Sequence, residues 1–176
     1  MPEMCPNSFQ DFVRLVERRQ RAEGPLWFRG AGKATYNLLP TLYRHAREHA
    51  VVDLELLERN LMMRFQQRSI PFMTRALADN WDHLFFMQHY GIPTRLLDWT
   101  ENPLIGLYFA IMSSPFSGKL AGANPVLTFS SDAAVWILDP VAWNRHALRQ
   151  RRFDRGILMP SEKPCRAISP LRGFRT

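Results

Sequence analysis

Residues 88–103 carry the sequence QHYGIPTRLLDWTENP, in which polar and charged side chains stand on both sides of a short apolar run. Gly91 predicts the end of a helix, because glycine readily adopts the left-handed conformation that closes one. Residues 94–99 are expected to be extended. Asn102 before Pro103 predicts the next helix start, since asparagine caps free N–H groups and proline at the first helical position loses no hydrogen bond.

The chain on either side of this stretch alternates between predicted helices and short strands. Helical spacing of apolar residues, caps and helix breakers predict helices at about 9–23, 51–68, 72–78, 81–90, 103–112 and 140–149. Strands are expected at 26–30, 125–129 and 133–138, the last two as a hairpin. Residues 36–43 are expected to be irregular. The sequence therefore predicts one α+β domain, with a small mixed or antiparallel sheet and several packed helices.

Two of the predicted helices have a face that the spacing expects to be buried. In helix 51–68 this face consists of Leu54, Leu57, Leu61 and Phe65. Its opposite face, expected to be solvated, carries Glu55, Glu58, Arg59 and Arg64. In helix 103–112 the expected buried stripe is Leu104, Leu107, Tyr108 and Ile111.

Composition excludes several classes of protein. The 176 residues are 46% hydrophobic and 22% charged, without repeats, which argues against collagen, coiled coil and disorder. No apolar run is long enough to cross a bilayer, so we expect no membrane partner. Cys5 and Cys165 are too few for a disulfide framework and fit no zinc spacing, so no metal site is expected. With no secretory pattern at the start, we expect a reduced, cytoplasmic protein.

The formal net charge of +7 favours anionic partners. Only three of the 23 basic residues are lysines, and the planar guanidinium suits bidentate contacts with phosphate or carboxylate. A basic run near the end is either a solvated face or a contact for nucleic acid; it consists of Arg149, Arg151, Arg152 and Arg155.

Arg29 is unusual because it stands in an otherwise apolar predicted strand, directly before Gly30. A buried guanidinium has to be paired, because desolvating it alone is costly. Two interpretations are open. Arg29 holds a phosphate of a ligand while Gly30 lets backbone or ligand approach closely, or Arg29 forms a structural ion pair with Asp98 as its first candidate partner.

The second unusual segment is the connection around Asp98 and Thr100. Both residues lie just before a predicted helix N-terminus, where free N–H groups and the helix dipole favour an anion. Each of its side chains also has a structural interpretation. His89 can cap a helix C-terminus, Thr100 or Asn102 can act as N-caps, and Trp99 can belong to the core.

These two segments together resemble the FRG domain, a family named for an aromatic-Arg-Gly motif, here Phe28-Arg29-Gly30. Its second motif looks like residues 89–100, followed by Asn102-Pro103-Leu104. The resemblance covers about residues 25–112 and implies a single FRG-type domain over 1–176. The tail over 150–176 is basic and expected to be partly irregular. The family is known as mostly uncharacterised, bacterial and phage-associated, which implies a toxin or phage-defence role without fixing an activity.

A second resemblance, to ADP-ribosyltransferases of the arginine–serine–glutamate type, implies NAD as the cofactor. In those enzymes an early strand ends in aromatic-Arg-Gly and its arginine grips the NAD phosphates, as Arg29 is expected to do. Residues 94–100, leading into a helix, are similar to their middle strand. A late glutamate or glutamine should orient the ribose, but Leu171 stands in that place and the late carboxylates are Asp154 and Glu162.

The predicted site is a cleft between residues 28–30 and 94–102 that binds a nucleotide-like anion. Residues expected to act in catalysis are Arg29 on phosphate, Thr94 and Thr100 on ribose, and Asp98, which orients Arg29 or Arg95. Residues expected to bind ligand are Phe28, Gly30, His89, Tyr90, Arg95, Trp99 and Asn102. The alternatives are a non-catalytic nucleic-acid-binding module and a degenerate, inactive family member; the oligomeric state is left open.

Overall fold

The computed structural model describes residues 3–48, 53–73, 77–117 and 128–147. Its contacts divide these residues into two compact units, one of residues 3–36 and 98–147 and one of residues 37–97. The predicted α+β class is confirmed. The basic run at 149–155 and the late residues Asp154, Glu162 and Leu171 lie outside the described residues.

Within the described residues, helices and short strands follow one another along the chain. In order they are α1 (Phe9–Glu23), β1 (Trp27–Ala31), α2 (Thr41–Glu48), α3 (Leu54–Ser69), a 3-10 turn (Ile70–Phe72), α4 (Asn80–His89), α5 (Pro103–Met112), β2 (Phe116–Ser117), β3 (Thr128–Phe129), β4 (Ala134–Leu138) and α6 (Pro140–Ala147). In this part of the chain we find no helix that combines the length and the apolar character needed to span a membrane.

Local capping explains where the helices begin and end. The Ser8 hydroxyl accepts the Asp11 amide at 3.1 Å at the start of α1, and Gly24, with φ of +87°, ends that helix. For α4 the cap is Asp79, since its carboxylate accepts amides of the first turn. Helix α2 begins at Thr41, inside a segment that we expected to be irregular.

In the described residues of the first unit there are two antiparallel strand pairs. Strand β1 pairs with β4, and β2 pairs with β3. The predicted hairpin between residues 125–129 and 133–138 is therefore wrong. Pairing with β1 places Val135 and Ile137 of β4 on the same face as Phe28, so all three apolar side chains reach one core.

The core of the first unit lies between α1, α5 and this face of the β1–β4 sheet. Its buried members are Phe12, Val16, Leu26 and Phe28, with Val13, Leu107, Val135 and Ile137 packed against them. Burying these side chains supplies the main stabilisation of this unit, because apolar surface is removed from water.

Of the stripe that its spacing predicted, helix α5 packs only Leu107 against the core. Its buried residues are Gly106 and Ala110, whereas Leu104, Tyr108 and Ile111 are exposed. The reason is the close approach of α5 to β1. A Cβ on Gly106 would lie 2.9 Å from the Cβ of Phe28, so only small residues fit along the contact.

The core of the second unit lies between α3 and α4. It consists of Met62, Phe65, Leu84 and Met87, with Leu61, Met73, Leu77, Trp81, Phe86, Ile92 and Leu96 packed against it. Residues 94–99 belong to neither a helix nor a strand. Two expectations are wrong in this unit. Residues 73, 77 and 78 are not helical, although residues 74–76 lie outside the described part. Glu58, expected on a solvated face, has 0% of its surface exposed.

Candidate functional site

Arg29 lies on the face of β1 that turns away from the core. Neighbouring side chains of a strand point to opposite faces, and Phe28 is fully buried in the core of its unit. The Arg29 side chain is only partly buried. Its Nη1 donates to the main-chain carbonyl oxygen of Asp98 at 2.6 Å. This contact holds the guanidinium in one orientation at the edge of β1.

A short backbone pairing joins β1 to the segment before α5. The Phe28 amide donates to the Thr100 carbonyl at 2.7 Å, and the Thr100 amide donates back to the Phe28 carbonyl at 2.9 Å. The two sequence motifs therefore meet at this edge. Trp99, between the carbonyl that binds Arg29 and this pair, is half-buried.

Asn102 is the N-cap of α5, one of the two residues that the sequence offered for this role, and Thr100 binds the amide of this cap residue. The Thr100 hydroxyl accepts the Asn102 amide at 3.1 Å. The side-chain oxygen of Asn102 then accepts the Leu104 amide at 2.9 Å, at the N-terminus of α5. These bonds fix the main chain beside Arg29, because each occupies an amide that the helix itself leaves free.

Gly30 lies where the backbones of β1 and α5 touch. A Cβ on Gly30 would fall 2.2 Å from the Gly106 carbonyl oxygen and 2.3 Å from the Ala110 amide nitrogen. The sequence left open whether a ligand or another part of the backbone comes close to Gly30. In the structure it is the backbone of α5.

Arg95, in the second unit, makes a two-pronged ion pair with Glu58. Its Nε donates to one carboxylate oxygen at 2.6 Å, and its Nη2 donates to the other. Glu58 is fully buried, so the pair ties α3 to the segment that follows α4. Burial raises the pKa of the nearby Tyr43 hydroxyl, an effect opposed by the charge of Arg95 and reinforced by that of Glu58.

Thr94 is fully buried beside this ion pair. Its hydroxyl donates to the side-chain oxygen of Gln88 and accepts the Leu96 amide at 3.3 Å. Its carbonyl accepts the Leu42 amide at 3.0 Å, which attaches α2 to this segment. The structure gives Thr94 these structural contacts, and its role on a ribose stays a prediction.

His89 and Tyr90 are exposed at the C-terminal end of α4. Their rings meet edge to face, with centroids 5.2 Å apart. Gly91, with φ of +74°, then reverses the chain as the sequence predicted. Both rings are accessible, and their contacts with a ligand stay predictions.

The predicted site residues divide between the two units. The first unit holds Phe28, Arg29, Gly30, Asp98, Trp99, Thr100 and Asn102, and the second holds His89, Tyr90, Thr94 and Arg95. Sequence reasoning missed Glu58 and Gln88, whose side chains bind Arg95 and Thr94 in the second unit. For Glu58 a signal was present, because it lies four residues before Met62 and seven before Phe65, on the apolar face of α3.

Comparison with protein families gives one match that includes both sequence motifs. The sequence model of the FRG domain matches residues 24–117, which are 94 of the 176 residues and include both motifs. The chain belongs to the FRG domain family. Searches of curated proteins and of solved structures found no match. Within the described part of this FRG domain, no group of three His, Cys, Asp or Glu side chains is arranged to bind a metal ion.

Proposed function

We propose that this FRG-domain protein binds a nucleotide-like anionic ligand through Arg29. The observation that supports the proposal is the position of this side chain. Arg29 lies on the sheet face away from the core, partly accessible, with its guanidinium oriented by the Asp98 carbonyl. A planar guanidinium held in one orientation suits contact with a phosphate.

The contrast with the arginine of the second motif strengthens this choice. Arg95 is mostly buried in its pair with the Glu58 carboxylate, with 16% of its side chain exposed, so little of it is accessible to a ligand. We therefore assign phosphate binding to Arg29. The segment around Thr100 then fixes the position of the Arg29 side chain. Ligand contacts of His89, Tyr90 and Thr94 stay predictions.

NAD is the first ligand to test, because the resemblance to ADP-ribosyltransferases implies it. In ADP-ribosyl transfer the bond between the nicotinamide nitrogen and ribose C1′ breaks, and nicotinamide leaves with the electron pair. An oxygen or nitrogen of the acceptor bonds to C1′ and gives up its proton. A cytoplasmic toxin or phage-defence effector is the role that this chemistry and the family suggest.

Thermal unfolding with and without NAD tests the proposal. Binding to the native state alone raises Tm, and NAD at a hundred times its Kd would stabilise by about 2.7 kcal/mol. For a chain of this length that is a shift of roughly 5–10 °C. We expect the shift in the parent protein and its loss in folded Arg29→Ala. Arg64→Ala, which removes one exposed positive charge from α3, should keep it.

Two results would overturn nucleotide binding at Arg29: no shift at millimolar NAD, or an unchanged shift in Arg29→Ala. Should Arg29→Ala fail to fold, Arg29→Lys keeps the charge and removes the planar fork, so a reduced shift is expected there. NAD binding without transfer of labelled ADP-ribose would identify an inactive member of the family, as Leu171 suggests.

The rival function, nucleic-acid binding, is supported by the net charge of +7.

A further inference from the structure

The face of the β1–β4 sheet that carries Arg29 also carries tryptophan. In the antiparallel register Arg29 pairs with Trp136, and Trp27 pairs with Leu138. Paired residues share a face, and positions alternate along each strand. Because Phe28 and Ile137 pack in the core, Arg29 and Trp136 lie together on the opposite face.

This face is open enough to bind a ligand. Trp136 is 37% exposed, and Trp27 and Arg29 are only partly buried. Directly opposite residues of an antiparallel pair have Cβ atoms about 5 Å apart, so the side chains of Trp136 and Arg29 leave the sheet next to each other. An aromatic side chain and an oriented cation therefore occupy directly paired positions of two strands.

We propose that Trp136 stacks on the base of the nucleotide whose phosphate Arg29 binds. The inference rests on the proposed function and adds the substrate class, a nucleotide recognised by its base as well as by its phosphate. An indole offers a π-face to any base, whereas the guanidinium recognises the phosphate by charge and hydrogen bonds. Trp136 lies beyond residues 24–117, so the family match does not include it.

Matched probes separate the two contacts. AMP and ribose 5-phosphate differ only in the base, so calorimetric titration of both measures what the base contributes. We expect the parent protein to prefer AMP. Trp136→Leu should weaken AMP binding roughly tenfold to a hundredfold, as for loss of one stacking contact, and leave ribose 5-phosphate unchanged. Trp136→Phe should restore part of the loss.

Trp143 provides the control, since it is 57% exposed and lies on α6 rather than in the sheet. Trp143→Leu should bind AMP as the parent does. Trp136→Val, which suits a strand and has no ring, carries the test if Trp136→Leu does not fold.

The possible failures are distinguishable. If folded Trp136→Leu binds AMP as tightly as the parent while Arg29→Ala binds neither probe, the stacking role is overturned and the proposed function stands. Equal weakening of both probes by Trp136→Leu would also overturn stacking, because it indicates a structural effect. If the parent binds neither probe, the proposed function fails and stacking fails with it.

Discussion

Gly30 shows at the residue scale how a motif position can be set by packing. The atoms that a Cβ would meet belong to the backbone of α5, so they cannot rotate aside as a flexible side chain would. Gly32 has a similar neighbour, since its Cβ would fall 2.0 Å from the Ser113 carbonyl oxygen. Gly30 thus allows the backbones of β1 and α5 to come into contact. Arg29, the preceding residue, then lies on the face of the sheet away from α5.

We expect Gly30→Ala to lower the free energy of unfolding by about 3 kcal/mol, at the upper end of the usual cost of overpacking. Urea unfolding followed by circular dichroism measures this loss. Gly91→Ala is the matched control, because Gly91 has positive φ and nothing within 4 Å of its Cβ position. Its cost should be the backbone strain alone, about 1–2 kcal/mol. A smaller loss at Gly30 than at Gly91 would contradict the steric explanation.

Between elements, the Glu58–Arg95 pair ties α3 to the segment after α4. The carboxylate is fully buried and the guanidinium mostly so, with 16% of the Arg95 side chain exposed. Removing one partner from such a pair leaves the other charge buried without compensation, which is far more costly than loss of a surface pair.

Glu58→Gln is therefore expected to lower the free energy of unfolding by about 3–5 kcal/mol. Glu55→Gln is the control on the same helix, because its exposed pair with Arg59 should contribute at most about 0.5 kcal/mol. The double variant Glu58→Leu with Arg95→Met should recover much of the loss, since no charge is then left buried. Equal effects of Glu58→Gln and Glu55→Gln in urea unfolding would refute this account.

The same elements show which features could be predicted from sequence. Gly91 and Asn102 act within a few residues of themselves, so their capping roles could be predicted from the sequence. The burial of Glu58 depends on Arg95, which is 37 positions away. Helical spacing places Glu58 on the apolar face of α3, but without knowledge of this partner a charged residue was assigned to a solvated face.

Pairing across the whole molecule is a harder problem. Strand β4 follows β3 in sequence yet pairs with β1, because only that partner places Val135 and Ile137 against the core of Phe28. A hairpin is the usual expectation for strands that are neighbours in sequence. It is wrong here because β4 has to pack its apolar side chains against the core around Phe28. The sequence thus predicted Arg29 as a ligand residue but gave no reason to pair it with Trp136.

Net charge acts at the scale of the whole molecule and predicts a second, distinct behaviour. A chain with formal net charge +7 should bind arbitrary DNA at low salt. The logarithm of the binding constant should fall with the logarithm of salt concentration, with a slope of about 0.9 for each phosphate contacted. Replacing Arg151, Arg152 and Arg155 by glutamine should reduce this slope and leave the Tm shift with NAD unchanged.

Arg29→Ala should have the opposite pattern. We expect it to lose the Tm shift with NAD and to keep the salt slope of DNA binding, because a single side chain contributes little to the total positive charge. Fluorescence anisotropy with a labelled duplex at several salt concentrations measures the slope, and Arg64→Ala controls for loss of a single charge. A steep slope that Arg29→Ala abolishes would mean that nucleic acid occupies the site at Arg29. Nucleic-acid binding would then replace NAD chemistry as the function of this domain.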